Sequence, residues 1–329
     1  RTPPDVAAVA VHRWEVASAS KVEVRPAKRL PQHLDRIRGA EFATIAQVVR
    51  DFVGGFESAQ PPTVAYRLKN VLLHDGVLYA EGAVRHLRHR TSSRYFPAAL
   101  NAQEHACGSL FESSLGNRWF GNWLSDDCLS YRLAEEIGSP FTTDQPTGHK
   151  GDYAERLAIL PDRVTSAWFH ELTIFDDCTH NEHKRARADD MRRRLIAGPV
   201  RRHPGTFLLR GRTGESRVLL NERAIAEHLA SKRGFTIIDP STTSVDDIVQ
   251  ACVGAQVIAG VEGSHLVHGL VAMPQNACAL VIQPPTRAVS ALKLLTDRQG
   301  QDYALVVGEG NNDGFIAAVD EVERTLDLV

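Results

Sequence analysis

The chain has 329 residues, of which 43% are hydrophobic, and its formal net charge is -2. This length accommodates two domains with separate cores, and the nearly balanced charge excludes a general attraction to nucleic acid. The five cysteines are scattered without a CxxC pair, so they indicate neither a disulfide framework nor a zinc site. Because no apolar run approaches the roughly 18 residues that span a bilayer, we expect a cytoplasmic protein.

The first part of the chain predicts a helix followed by a β-rich region. Residues 40–53 have a helical pattern of apolar side chains that ends at a pair of glycines. Residues 64–73 and 76–84 are rich in β-formers, and the Asp75-Gly76 step between them favours a hairpin turn. These runs predict a small β-meander in the N-terminal domain.

Residues 84–94 form a basic segment with four arginines and two histidines. Such a segment fits contact with an anionic acceptor or with lipid headgroups at the inner face of the membrane. It also fits an exposed edge strand, where charges are the ordinary device that prevents pairing with another chain. The pattern alone leaves both interpretations open.

Residues 116–138 predict one helix with a polar pair displayed away from its core stripe. Apolar side chains recur at steps of three and four residues, and Gly138 follows the expected end. Asn122 and Asp126 lie one helical turn apart on a different face. Asp126 is therefore either a displayed functional carboxylate or an ordinary surface acid.

Residues 176–183 combine Asp, Cys, His and Glu and superficially resemble a metal site. Their mixed ligand types are more typical of a solvated loop, and we expect no metal there. The arginine-rich residues 184–194 predict an exposed helix. The break that follows predicts a division into an N-terminal domain, residues 1–198, and a C-terminal domain, residues 199–329.

Residues 206–285 alternate four short apolar runs with helical patterns and predict a β-α-β-α-β-α-β unit. Strands separated by helices in this way form a parallel sheet that binds ligands at the carboxyl ends of its strands. Arg210 and the glycine-bearing turn at residues 260–265 are expected at that edge. Residues 315–328 predict a final helix.

Taken together, these segments resemble glycosyltransferase family 61, whose members share an ordered block of motifs in this part of the chain. The matching positions are Arg210, Arg217, Asn221-Glu222, Gly234-Phe235, the helix after Ser244, the strand at residues 255–260 and the apolar exit at residues 270–274. The order of these motifs is more specific than any one of them.

The resemblance has two departures. Glu262 stands where the family often has His, and Gly263-Ser264-His265 with Leu266 replaces a Gly-Ala-Gly-Leu turn. The family's upstream helix motif, His-aromatic-two residues-Asp, is similar to residues 122–126, but Asn122 replaces the His while Asp126 is retained.

The resemblance implies an α/β fold of the GT-B type, in which two Rossmann-like domains face each other across a cleft. It implies that residues 1–198 form the acceptor-side domain and residues 199–329 the nucleotide-sugar-binding domain. It also implies inverting transfer of a sugar from a nucleotide-sugar donor, with no metal and no other cofactor. The expected donor is a UDP-sugar. Arginine forks and amides at a helix start suit the departing diphosphate. The implied donor-binding residues are Arg210, Arg217, Asn221, Glu222, Gly263, Ser264 and His265.

Inversion requires a base that takes the proton of the acceptor hydroxyl. Asp126 is the first candidate, with Asn122 beside it on the acceptor side, and Glu262 is the second. The expected acceptor is a glycan or lipid-linked glycan, as in capsule or lipopolysaccharide synthesis, with peripheral membrane association. No nucleic-acid partner is expected.

Three other readings compete with this one. A nicotinamide-dependent oxidoreductase is disfavoured because the G-x-G-x-x-G spacing is absent after the third strand. A GT-A enzyme would need an Asp-x-Asp metal motif, and the chain offers adjacent pairs such as Asp126-Asp127. A transferase-like carbohydrate- or nucleotide-binding protein without activity stays open, because Asn122 and Glu262 depart from the family pattern.

Overall fold

The computed structural model describes residues 2–88, 102–196, 198–212, 214–311 and 313–329. They form two compact units: the first comprises Arg1–Ser20 and Gln60–Arg187, and the second comprises Lys21–Ala59 and Ala188–Val329. The units differ from the predicted division after residue 198, because an N-terminal segment belongs to the second unit. The change from one unit to the other falls within a helix.

Within the described residues, the strands are β1 (His12–Ala17), β2 (Ser20–Val24), β3 (Phe56–Gln60), β4 (Thr63–His74), β5 (Val77–Ala80), β6 (Ala83–His86), β7 (Gln103–Leu110), β8 (Pro140–Thr142), β9 (Asp162–Arg163), β10 (Ser166–Asp176), β11 (His203–Leu208), β12 (Thr236–Ile238), β13 (Ala255–Val261), β14 (Cys278–Gln283), β15 (Asp302–Val307), β16 (Glu309–Gly310) and β17 (Phe315–Ile316). The α-helices are α1 (Gln32–Asp35), α2 (Ile45–Val53), α3 (Ser114–Arg118), α4 (Phe120–Asn122), α5 (Cys128–Ile137), α6 (His149–Arg156), α7 (Glu182–Leu195), α8 (Glu222–Arg233), α9 (Val245–Cys252), α10 (Val267–Ala272), α11 (Ala291–Gln299) and α12 (Val319–Leu326). Within the described part of the chain, no helix is both long and apolar enough to cross a membrane.

The second unit is built on a parallel sheet with the strand order β12-β11-β13-β14-β15. The chain moves outward from β11 to β12 and then returns to β13 on the other side of β11. This is the order of doubly wound sheets, and the reversal between β11 and β13 opens a crevice at their carboxyl ends. The four predicted strands and the α/β class are confirmed.

Caps at the ends of the connecting helices explain where they begin and end. Gly234 adopts the left-handed conformation, with φ of 71°, that closes α8. The Ser244 side chain accepts a hydrogen bond from the backbone N–H of Asp247 and starts α9. Both boundaries were predicted from these residues.

The sheet of the second unit has a further strand, β15, preceded by α11, that the sequence analysis did not predict. The buried face of α11 carries charged side chains, so its sequence lacks the apolar pattern of a core helix. Lys293 is 1% exposed and Asp297 is 7% exposed, and the two side chains contact each other. A buried ion pair therefore occupies positions where an apolar pattern would normally mark the core face.

The N-terminal segment joins the second unit by pairing with β15. The backbone N–H of Lys28 donates to the carbonyl of Tyr303, and Leu305 donates to the carbonyl of Lys28, both at 2.9 Å. Farther along the segment, helix α2 begins at Ile45 and not at residue 40 as predicted, because Thr44 forms a reciprocal capping box with Gln47.

The first unit contains a mixed sheet with the order β6-β5-β4-β10-β7-β8-β9, and β1 also pairs with β4. Strand β10 is antiparallel to β4 and parallel to β7. The predicted hairpin between β4 and β5 is confirmed. Asp75 and Gly76 both have positive φ, 48° and 68°, as a type I′ turn requires.

The single helix predicted over residues 116–138 is wrong in its first half. Trp119 is extended, with φ of -127° and ψ of 129°, and a π-helical turn, Trp123–Asp127, separates α4 from α5. The break lets the buried Asp127 carboxylate accept hydrogen bonds from the backbone and hydroxyl of Ser113. A contact between side chain and backbone 14 residues apart therefore overrides the helical pattern.

The predicted helix over residues 315–328 begins only at Val319. Its first residues form β17, which pairs with β16. Residues 89–94 of the basic segment lie outside the described residues. Within the described part, Arg85 contacts Asp5 and Arg88 lies 3.6 Å from Glu112.

Candidate active site

The carboxyl edge of the parallel sheet in the second unit carries a cluster of charged side chains. Arg210 follows β11, Glu262 to His265 follow β13, and Arg287 follows β14. The crevice between β11 and β13 is where sheets of this order bind ligands. We therefore built the candidate site from this edge.

Glu222, the first residue of α8, fixes the loop that follows β11. Its two carboxylate oxygens accept hydrogen bonds from the backbone N–H groups of Arg210, at 2.7 Å, and Gly211, at 2.8 Å. Asn221, the residue before it, bonds both the carbonyl and the N–H of Ala317. Glu222 thus holds the backbone that presents Arg210, whereas Asn221 ties the start of α8 to Ala317.

Arg210, Arg217 and Arg287 lie close together and are almost entirely buried, with 7%, 8% and 6% of their surface exposed. Glu262, which is 6% exposed, contacts the Arg217 guanidinium and lies 3.8 Å from Nη1 of Arg287. Arg210 donates from Nη2 to the carbonyl of Glu215 at 2.5 Å. We call Arg210, Arg217 and Arg287 the arginine cluster.

Two exposed carboxylates lie against the arginine cluster at Arg287. The Glu215 side chain, 44% exposed, contacts Nη2 of Arg287, and the Glu41 side chain, 46% exposed, lies 3.8 Å from Nε. Half-exposed ion pairs of this kind contribute only about 0–1 kcal/mol each. Another anion can therefore replace these carboxylates at low cost.

The electrostatics of the cluster favour binding of a further anion. Burial lowers the pKa of Arg210, and burial together with the neighbouring guanidinium groups of Arg210 and Arg287 lowers the pKa of Arg217. Both directions mean that positive charge is crowded and poorly solvated at this edge. A phosphate group would relieve that crowding and would match the planar fork of each guanidinium.

The turn after β13 brings backbone close to the arginine cluster because Gly263 has no side chain. A Cβ at this position would lie 2.7 Å from Nη1 of Arg210 and 3.1 Å from Nδ1 of His265. Ser264, which is partly exposed, then begins a 3-10 turn that leads into α10. The approach of guanidinium to backbone thus requires glycine here.

His265 is held neutral. Both of its ring nitrogens are shut off from solvent, and burial, followed by the charge of Arg210, lowers the pKa of His265 to about 3. At neutral pH the imidazole is uncharged and is a weak base. It adds no positive charge to the cluster.

A cavity of about 400 Å³ lies at the opposite edge of the sheet, at the amino ends of the strands. Its lining includes Pro204, Phe235, Ala255 and Ala277, with Arg202 at the surface. Parallel sheets of this type bind their ligands at the other edge. We therefore place the candidate site at the arginine cluster and not at this cavity.

Comparison with known family models points to one family. Residues 120–280 match the model of the family Glycosyltransferase 61. This segment, just under half of the chain, is similar to glycosyltransferase family 61, which confirms the resemblance seen in the sequence. The family implies glycosyltransferase activity, with a sugar donor and a glycan acceptor.

Other comparisons add nothing to this assignment. No curated protein matches the sequence significantly. Among solved structures, the metal-soaked Flv1 flavodiiron core from Synechocystis sp. PCC6803 is similar with a TM-score of 0.26 and 8% sequence identity, over 80% of this chain and 62% of that chain. The chain thus spans less than two thirds of that protein, and a score this low carries no argument about fold or function.

The family 61 segment also includes Asp126, which lies in the first unit within the π-helical turn. Its Oδ2 accepts hydrogen bonds from Nδ2 of Asn122 and Oγ of Ser125, both at 3.1 Å, and its Oδ1 lies 2.6 Å from Nζ of Lys184. Lys184 is 1% exposed, whereas the Asp126 side chain is 27% exposed. The carboxylate is thus held in one orientation and is partly exposed to solvent.

The loop that resembled a metal site supports the first unit instead. The buried Asp177 carboxylate accepts two hydrogen bonds from Arg187, both at 2.8 Å, and one each from Thr63 and Ser130. Lys184 donates to the carbonyl of Asp177. Among the described residues, no group of three or more His, Cys, Asp or Glu side chains is arranged to hold a metal ion.

The structure adds residues to the site that the sequence analysis missed. Arg287 lies shortly after β14, a strand that was predicted, and is separated from it by Pro284-Pro285 and Thr286. Arg210 was placed at the site because it follows a predicted strand, and the same reasoning would have placed Arg287 there. Glu215 and Glu41 carried no comparable signal, because both lie in loops far from Arg287 in the sequence.

Proposed function

We propose that the protein is an inverting, metal-independent glycosyltransferase of the GT-B type that uses a nucleotide-sugar donor. The observation that supports this proposal is the arginine cluster at the carboxyl edge of the parallel sheet. Arg210, Arg217 and Arg287 provide three guanidinium groups for the diphosphate. In a site without a metal, such groups neutralise the charge that develops on the leaving nucleoside diphosphate.

In the proposed reaction, the acceptor hydroxyl attacks the anomeric carbon as the bond to the diphosphate breaks on the opposite face. A base takes the hydroxyl proton, and the electron pair of the broken bond leaves with the diphosphate. We assign the base to Asp126, because its carboxylate is oriented by Asn122 and Lys184 and its side chain is 27% exposed.

Glu262, the other candidate base, has a different role in this proposal. Its carboxylate contacts Arg217 and lies 3.8 Å from Arg287, and it is almost entirely buried. A base must reach the proton that it removes, whereas a carboxylate between two guanidinium groups acts as their counter-ion. We therefore propose that Glu262 positions the arginine cluster.

For the donor we propose a UDP-sugar, and for the acceptor a capsule- or lipopolysaccharide-type glycan precursor, free or lipid-linked, in the cytoplasm at the inner face of the membrane. The alternative is a transferase-like protein that binds carbohydrate or nucleotide without turnover. This alternative is supported by Asn122 and Glu262, which replace residues that the family often has at these positions.

Donor hydrolysis and transfer assays across UDP-, GDP- and CMP-sugars test the proposal. We expect turnover with at least one donor and a fall of about 10² to 10⁴-fold in kcat for Asp126→Asn, with donor binding retained in a thermal-shift assay. Asp152→Asn, an exposed acid in α6, is the control and should retain activity.

Binding without turnover in the wild-type protein would support the alternative. Unchanged activity of Asp126→Asn would exclude Asp126 as the base. Neither binding nor turnover with any donor would contradict the whole proposal.

A further inference from the structure

Phe42 is an exposed aromatic residue in a backbone conformation that bulky side chains rarely adopt. Its side chain is largely in solvent, with 63% of the residue surface exposed, and its φ is 66°. Left-handed backbone is costly for a residue with a large side chain and persists only where the surroundings impose it. Both features are unfavourable for folding, which indicates that the ring has another use.

The backbone just before Phe42 is fixed against the loop that carries Arg287. Gly39 approaches this loop so closely that a Cβ would lie 2.2 Å from the carbonyl oxygen of Thr286. Ala288 donates to the carbonyl of Gly39 at 2.9 Å, and Glu41 donates to the carbonyl of Ala288 at 3.1 Å. The ring is thus held in place by ordered backbone and does not belong to a loose loop.

The Phe42 ring lies beside the arginine cluster. The guanidinium carbon of Arg287 is 5.5 Å from the centre of the ring, and the Glu41 carboxylate next to it in sequence lies 3.8 Å from the same guanidinium. A group bound to Arg287 through a phosphate therefore extends within reach of an aromatic surface.

We propose that Phe42 is the stacking platform for the nucleobase of the donor, an inference that rests on the proposed glycosyltransferase function. A nucleoside diphosphate offers two anionic phosphates, which suit the arginine cluster, and a flat base with two π-faces. Aromatic side chains stack on bases of any identity. An exposed, backbone-fixed ring next to a phosphate site meets that requirement.

The test compares nucleoside diphosphates with a probe that has no base. UDP, GDP, CDP, ADP, a nucleotide sugar of the tightest-binding nucleotide and inorganic pyrophosphate are titrated into wild-type protein, Phe42→Ala and Phe42→Trp by calorimetry. For the nucleotide that binds tightest, we expect Phe42→Ala to weaken binding about ten-fold, as removal of one base–aromatic stack generally does. Pyrophosphate binding should not change, and Phe42→Trp should restore nucleotide binding.

Ile316→Ala is the matched control, because Ile316 is an exposed apolar residue of the same unit, with 52% of its surface exposed. It should bind nucleotide and pyrophosphate as the wild type does. Unchanged nucleotide affinity in Phe42→Ala would overturn the inference.

Three further results would also overturn it, and they separate it from the proposed function. If Phe42→Ala weakens pyrophosphate as much as nucleotide, the ring only orients Arg287 and the diphosphate site stands. If only a nucleotide sugar is weakened and not its nucleoside diphosphate, the ring contacts the sugar. If the wild-type protein binds none of the probes, both the inference and the proposed function fail.

Discussion

Arg287 contacts Glu215, lies close to Glu41 and faces Glu262, so three carboxylates surround one buried guanidinium. These carboxylates differ in their exposure to solvent. Glu262 is buried and follows a core strand, whereas Glu215 and Glu41 are about half exposed on loops. We expect the exposed pair to give way when a diphosphate enters and the buried one to stay.

Removal of the Glu215 charge should therefore raise the affinity for anions. For Glu215→Gln we expect pyrophosphate to bind about two- to five-fold more tightly, because this ratio corresponds to the free energy that a half-exposed ion pair contributes. Calorimetric titration measures the change. The control is Glu309→Gln, at a carboxylate whose side chain is 70% exposed and which pairs with Arg36. Weaker pyrophosphate binding by Glu215→Gln would contradict the idea that Glu215 competes with the diphosphate for Arg287.

At the level of single elements, the junction of β10 and α7 depends on one carboxylate. Burial alone would raise the pKa of Asp177, but the hydrogen bonds from Arg187 and the nearby charge of Lys184 lower it overall. Without this carboxylate, the buried guanidinium of Arg187 loses its counter-ion, and Lys184 keeps only that of Asp126. Such a loss is much more costly than the loss of a surface pair.

For Asp177→Ala we therefore expect a loss of about 3–5 kcal/mol in the free energy of unfolding. Urea unfolding followed by tryptophan fluorescence measures it. The adjacent Asp176 is exposed, so Asp176→Ala should change stability by no more than about 0.5 kcal/mol. Equal effects of the two substitutions would show that the buried network does not support the first unit.

In the second unit, α1 and α12 are joined by a two-pronged ion pair. Arg36 donates from Nη1 and Nη2 to the two carboxylate oxygens of Glu321, at 2.6 and 2.8 Å. Chiefly because of this hydrogen bond, the pKa of Glu321 falls from its ordinary value of 4.5 to about 2. A lowered carboxylate pKa stabilises the fold above pH 4.5, and this contribution is lost as the pH falls towards 2.

Glu321→Gln should therefore lower the free energy of unfolding at pH 7 by about 2 kcal/mol. It should also make the decline in stability between pH 4.5 and pH 2 less steep, because the group that takes up a proton is gone. Thermal unfolding across this range measures both effects. Glu227→Gln, at an exposed position of α8, should behave as the wild type, and an unchanged acid slope in Glu321→Gln would contradict this account.

The elements that could be predicted from sequence are those whose residues act locally. Strands β11 to β14 follow from apolar runs between helical patterns, and Gly234 and Ser244 mark helix ends by their own conformational preferences. Arg210 could be placed because it directly follows a strand. These signals lie within a few residues of the feature that they specify.

The elements that could not be predicted depend on distant partners. Helix α11 buries the Lys293–Asp297 pair, so its core face appears polar in the sequence. The segment that contains Lys28 pairs with β15 about 275 residues later, as the bond from Leu305 to Lys28 shows. For the site, Phe42 carries no pattern of its own, and its position depends on backbone bonds to the loop after β14.

For the whole molecule, the family 61 segment covers Asp126 in the first unit and Arg210 to His265 in the second, but neither Arg287 nor Phe42. The family assignment therefore rests on different residues from those that the structure adds to the site. The central claim is that the arginine cluster holds the diphosphate of the donor.

A crystal structure with a bound nucleoside diphosphate tests this claim most directly. The account predicts phosphate oxygens within hydrogen-bonding distance of Arg210, Arg217 and Arg287, with Glu215 displaced from Arg287. A nucleotide bound instead in the cavity near Arg202 and Phe235, with the arginine cluster still occupied by its own carboxylates, would contradict it.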